Sequence, residues 1–143
     1  MAIIITGGVI QEGDKYLLVQ ENKPNCRGLW SIPAGHLEKD EVLTDGAIRE
    51  VREECGLEVE LTGIAKIGSI PIPGNCMVNI MFTTRVTGGQ LTADGSEIMD
   101  TGWFTYEEIA GMRGSLRAPG WTMEILDNVV NGKIGGLELL GVK

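Results

Sequence analysis

The segment GHLEKDEVLTDGAIREVREECGL, residues 35–57, holds seven carboxylates: Glu38, Asp40, Glu41, Asp45, Glu50, Glu53 and Glu54. Only Lys39, Arg49 and Arg52 stand against them. The segment predicts a helix from about Val42 to Cys55, closed by Gly56 in a left-handed cap. With Leu43 at 0° and about 100° per residue, Ala47, Val51, Cys55 and Ile48 fall near 40°, 80°, 120° and 140°. That is a buried stripe. Arg52 at about 180° and Arg49 at about 240° point to solvent. Glu54 falls near 20°, inside the apolar arc, Glu50 near 340° at its edge and Glu53 near 280°. Spacings of three and four residues bring these glutamates together on adjacent turns. A solvated face laced by pairs such as Arg49–Glu53 would lie opposite the stripe, not on it. Like charges at half-buried positions repel, and a divalent cation offsets both repulsion and desolvation. Carboxylate oxygens suit Mg²⁺, with Mn²⁺ a second choice, rather than zinc.

Around the helix, AIIITGGVI and KYLLVQE, separated by QEGD, read as a hairpin. GLWSIPAGH is a short strand stopped by Pro33 and Gly35. LEVELTGIAKIGSI has strand character and ends at PIPGN. CMVNIMFTTRV alternates, with Val78, Ile80, Phe82, Thr84 and Val86 on one face and Met77, Asn79, Met81 and Arg85 on the other. TGWFT is a short strand; YEEIAGM and WTMEILDNVVNG are helices. Strands interleaved with helices predict one α/β domain over residues 1–143 with a central mixed sheet.

The net charge of −8 argues against a nucleic-acid polymer as partner, since such a surface must be basic. It allows a phosphorylated small molecule once a divalent cation inverts the local field. Cys26, Cys55 and Cys76 are too few and too scattered for a disulfide framework, which fits a cytoplasmic protein. The apolar start is too short to span a bilayer and lacks a basic leader. Neither membrane attachment nor a second domain is expected, and a homodimer is left open.

Gly35, five residues, Glu41, seven residues, then Arg49-Glu50-Val51-Arg52-Glu53-Glu54-Cys55-Gly56-Leu57 resembles the Nudix box at every defined position. Seven fixed residues of average abundance coincide by chance less than once in about 10⁸ windows. The resemblance implies an α/β/α sandwich and a Mg²⁺-dependent hydrolase that splits a diphosphate linkage. It implies that Glu53 and Glu54 are core metal ligands. Glu50 is then a third ligand or the general base, Arg49 orients a glutamate, and the carbonyl of Ala34 or Gly35 completes the set. Glu38 and Glu41 are supporting residues. Glu97, upstream of a Trp-Phe strand in a glycine-rich loop expected to be mobile, is implied as a further ligand or base, with Asp100 as fallback. Three positions depart from the family pattern. Ala34 stands where Gly is frequent, Val42 where a capping Ser is common, and Gly46 where Ala is usual, at a helix cost of up to about 1 kcal/mol.

For substrate contacts the sequence offers Arg27 and Arg117 to an outer phosphate, and Met77, Asn79, Met81 and Arg85 as one wall of a pocket. His36, Trp30 and Trp103 read as structural. LWSIPAGHLEKDE and LRAPG with MEILDNVVNGK are similar to small bacterial Nudix phosphatases acting on nucleotides and thiamine-pyrimidine diphosphates. An ADP-ribose pyrophosphatase is the alternative, with Pro71 or Pro73 near the position where such enzymes carry a proline. A catalytically silent ligand-sensing module is the reading of another class; the full set of box glutamates speaks against it.

Overall fold

The first apolar run does not fold back on the second. In the computed structural model, which describes residues 1–141, β1 (Ile3–Val9) lies between β5 (Ala34–His36), antiparallel, and β7 (Asn75–Gly89), parallel. The expected hairpin is made instead by β2 (Gln11–Glu12) and β3 (Lys15–Glu21), turning at Gly13 with φ 60°. A strand apolar on both sides is most stable in a sheet interior, and Ile10, fully buried, carries the chain from one sheet to the other.

The first sheet runs β5-β1-β7-β6, where β6 (Leu57–Ile72) pairs antiparallel with β7. Strand β6 continues through Pro71, so both candidate prolines stand at its end and in the turn after it rather than in a longer break. In the second sheet β3 is central. One edge takes β8 (Ile98–Thr105), the other takes β2 and β4 (Trp30–Ser31), all antiparallel. Among the described residues three α-helices complete the fold: α1 (Leu43–Cys55), α2 (Tyr106–Gly111) and α3 (Pro119–Val130).

The alternation in β7 explains the layering. Ile80 and Phe82 pack with Ala47 of α1, while Met81 turns the other way, into a cluster with Met123, Ile125 and Leu126 of α3. Both faces are therefore covered, giving an α/β/α sandwich whose first sheet is mixed. This corrects the pocket assignment of Met81: it is fully buried core, worth about 1.5–3 kcal/mol of burial. Arg85 is corrected too, because it ion-pairs with Glu60 across the exposed end of β6 and β7.

Helix α1 follows its periodicity. Ala47, Val51 and Cys55 have no exposed surface. Gly56 adopts φ 79°, and its N–H donates to the Arg52 carbonyl. Val42 caps the N-terminus without a side-chain hydrogen bond, as expected where Ser is absent. Gly46 has a reason that helix propensity hides. A Cβ there would stand 2.5 Å from Leu37 Cδ1 and 2.9 Å from Glu41 Oε1. Gly46→Ala should therefore forgo the roughly 1 kcal/mol that a Gly-to-Ala change brings to an open helix position. Chemical denaturation should show no gain; a gain near 1 kcal/mol would mean that Leu37 and Glu41 yield freely.

Candidate active site

Strand β5 runs beside α1, meeting it at Arg49, Glu50 and Glu54, and one arginine ties the two elements together. Arg49 Nε and Nη2 donate to the two oxygens of Glu41 at 2.6 and 2.9 Å. Its Nη1 donates to Glu50 Oε1 at 2.9 Å and Glu53 Oε2 at 3.1 Å, and Nη2 also reaches the His36 carbonyl at 3.1 Å. Glu38 lies 3.4 Å from Nη1. Arg49 leaves the helix on the solvent side, as the wheel has it, but its side chain folds back until only 16% of it is exposed. The planar fork suits several carboxylates at once. It holds the Glu41 carboxyl below the usual range. His36 contributes its carbonyl to this clasp and also lines the cavity described below.

The other glutamates of α1 are graded by depth. Glu53 is half-exposed, Glu50 is 8% exposed and Glu54 is 3% exposed. Burial pushes the Glu50 carboxyl up; Arg49 opposes this, and Glu53 and Glu97 add to it. Burial drives Glu54 further, to about 9, reinforced by the negative charges of Glu21 and Glu50. Glu54 Oε1 accepts from the Ala34 N–H at 3.0 Å, but Oε2 is sealed and has no partner. Gly35 must be glycine: a Cβ there would collide with the Glu50 carboxylate.

Glu21 was not foreseen. It ends β3, is 2% exposed, and its Oε2 is the second sealed, unpartnered carboxylate oxygen. Arg117 Nη1 lies 3.3 Å from its Oε1 and Lys23 Nζ 3.7 Å from its Oε2. A glutamate after KYLLVQ reads locally as a solvated strand end. Its burial depends on Arg117, 96 positions away, and no local pattern encodes that.

Glu21 opens onto a cavity of about 660 Å³ that Lys23, Ala34, Gly35, Arg117, Met77, Asn79 and Trp121 also line; the α1 glutamates lie behind Ala34 and Gly35, which contact Glu54 and Glu50. A groove of similar volume between β2 and α3 carries only Asp14, Glu107 and Asp127 as charged groups and has no cation in its lining. Of the proposed pocket wall, Met77 and Asn79 line the cavity and Met81 and Arg85 do not. Arg117 lines it, whereas Arg27 is turned to Asn22 Oδ1 at 2.9 Å. Glu97 is exposed at the start of β8, close enough to Glu50 to raise its pKa. Its loop carries hydrogen bonds of its own. Asp94 accepts from the N–H groups of Ser96 and Ile98, and the Asn22 N–H donates to the Glu97 carbonyl at 2.8 Å. Asp100 sits opposite Gln20 and accepts from the Thr101 N–H.

Among the described residues no three His, Cys, Asp or Glu side chains form a closed metal-ligand set. The donor chemistry nonetheless fits a hard divalent cation. Two buried carboxylate oxygens, Glu54 Oε2 and Glu21 Oε2, have no hydrogen-bond partner, the second facing Lys23 only at ion-pair distance, and Mg²⁺ completes its shell with water and substrate oxygens rather than a full protein cage. Three free cysteines and no disulfide occur among the described residues. No helix there is long and apolar enough to cross a membrane.

Comparison with known proteins agrees with this geometry. The chain is 34% identical over 104 residues to an 8-oxo-dGDP phosphatase of Mus musculus, covering 71% of this chain and 31% of that protein. It is 32% identical over 100 residues to an NAD-capped RNA hydrolase of Pectobacterium carotovorum, covering 70% and 37%. The chain thus spans about a third of the length of these curated relatives. A Nudix hydrolase from Nitrosomonas europaea superposes with TM-score 0.83 at 28% identity, covering 97% of this chain and 95% of that one. The NUDIX domain model matches residues 2–123, and the chain belongs to the Nudix family.

Proposed function

We propose that this protein is a Mg²⁺-dependent pyrophosphohydrolase that cleaves the diphosphate linkage of a nucleotide or related small molecule. The observation that carries the reading is Glu54 Oε2, sealed and unpartnered among other carboxylates, on a side chain whose Oε1 accepts from the N–H of Ala34, a residue that lines the cavity. An acid so placed is costly unless a cation meets it. Glu53 and Glu54, with Glu50 and the carbonyl of Ala34 or Gly35, would hold Mg²⁺, and Mn²⁺ is accepted by the same donors. When bound, the cation neutralises phosphate oxygens and makes water a stronger nucleophile. Arg49 fixes Glu50 and Glu53 relative to β5. Where Glu50 is not a third ligand, it is the group to take a proton from the attacking water. Lys23 and Arg117 face the same space and suit the outer phosphate. An ADP-ribose-type substrate is the alternative. A silent sensing module is disfavoured because no box glutamate is missing. Of the two relatives above, one is described as acting on capped RNA; the −8 charge of this chain favours a small molecule over contact with a polymer. Phosphate or pyrophosphate release from a diphosphate panel, with and without Mg²⁺, tests the reading.

Glu97 has a supporting place beside Glu50. Glu97→Gln should lower kcat by about 10–100-fold and change KM little, as for a group acting mainly in the transition state. The low-pH limb of the rate profile should move if Glu97 itself takes the proton. Near-wild-type kcat would confine the acidic machinery to α1.

A further inference from the structure

The far end of the cavity holds a side chain that the hydrolytic machinery does not use. Asn79 projects from β7 and is 5% exposed. Its Oδ1 accepts from Trp121 Nε1 at 3.0 Å. An indole N–H donates only, so this bond fixes which end of the amide is oxygen. The Nδ2 end then faces away from Trp121. Among the described residues it donates to no protein acceptor, and it is not one of the sealed polar atoms. Both Asn79 and Trp121 line the cavity, as do Gly68 and the apolar Ile70 and Met77. Gly68, opposite Asn79 in the β6–β7 ladder, keeps space open beside the amide: a Cβ there would stand 2.7 Å from Nδ2. A nearly buried amide with one end locked and its donor end free, in a cavity that Ile70, Met77 and Trp121 also line, is a directional receptor for a hydrogen-bond acceptor.

Resting on the hydrolase reading above, we propose that Asn79, oriented by Trp121, is the specificity-determining donor for the organic half of the substrate, and that it selects a heteroaromatic ring presenting a carbonyl edge over one presenting an amino edge. An amino group placed against Nδ2 would set donor against donor and leave both unpaired. The ring lies against Trp121 and Met77, with the diphosphate running toward Arg117 and the α1 glutamates.

Titration calorimetry with the four common ribonucleoside 5′-monophosphates in Mg²⁺ buffer gives a readout independent of turnover. The guanosine and uridine compounds should bind about tenfold more tightly than the adenosine and cytidine compounds, the worth of about one directed hydrogen bond. The same ratio should appear in kcat/KM for the matching diphosphates. Trp121→Phe releases the amide to turn, so the ratio should fall toward one. Asn79→Leu removes the donor and should give the same collapse, with thermal unfolding confirming that each variant is folded. A merely structural Trp121 would weaken all four ligands alike and keep the ratio. Absence of the preference in wild type, its persistence in both folded variants, or binding of none of the four overturns the proposal. Hydrolysis of none of the diphosphates with the binding preference intact would instead count against the hydrolase reading alone.

Discussion

Glu54→Gln should lose at least about 10³-fold in turnover, the scale on which removal of one preorganised charged group acts, and should nonetheless make the metal-free protein more stable above pH 7. The two effects share one cause. Glu54 is buried, its Oε2 has no donor, and Glu21 and Glu50 stand close. Its carboxyl is raised from 4.5 to about 9 in the fold. Between those values the folded chain holds a proton that the unfolded chain releases, so stability falls as pH rises from about 4.5 to about 9. Glutamine keeps the shape and removes the titration. In chelator, the wild-type melting temperature should decline across that window, while Glu54→Gln should be flatter and higher at its alkaline end. The raised Glu50 adds a slope of the same sign, so some decline should survive the substitution. Adding Mg²⁺ should reverse the order, because only wild type gains from binding the cation. Asp45→Asn, on the exposed face of α1, is the control and should change neither quantity.

Arg49→Ala should be the most destabilising single change in α1. The side chain is mostly buried and contacts Glu38, Glu41, Glu50 and Glu53. Removing it leaves Glu41 and Glu50 without their counter-charge, and breaking such a pair costs about 3–5 kcal/mol. The fork also ties α1 to the His36 carbonyl of β5, so the glutamates lose their common frame and activity should fall with stability. Arg49 holds the Glu41 carboxyl below its ordinary value of 4.5. That contribution is present above 4.5 and lost as pH falls through the lowered folded value. Urea unfolding of the two proteins should therefore differ most near neutral pH and converge in acid. Arg49→Lys keeps the charge but not the fork and should recover only part of the loss. An Arg49→Ala protein as stable as wild type would reduce the clasp to a surface ion pair.

What was legible in the sequence followed local periodicity. The 3.6-residue repeat placed Glu54 inside the apolar stripe and Asp45 outside it, and Gly56 marked the end of α1. The two-residue repeat separated the faces of β7 but not what covers them. Met81 and Asn79 fall on one face, yet α3 buries the first in the core and the cavity takes the second. Strand partners were illegible for a related reason. β1 is followed at once by a turn and a strand, the pattern of a hairpin, but its partners β5 and β7 come from distant segments. Arg49 shows a limit of the wheel, which fixes where Cβ leaves the helix but not where a long side chain ends. Glu21 shows the deepest limit, since its burial is defined by Arg117 at the far end of the chain.

The most direct test of the account is the release of phosphate or pyrophosphate from a panel of nucleoside di- and triphosphates, thiamine-pyrimidine diphosphate and ADP-ribose, assayed in millimolar Mg²⁺ and again in excess chelator. The account predicts hydrolysis of at least one compound in Mg²⁺, none in chelator, and loss of the Mg²⁺-dependent rate in Glu54→Gln. Full activity in chelator, or an undiminished rate in Glu54→Gln, would contradict it.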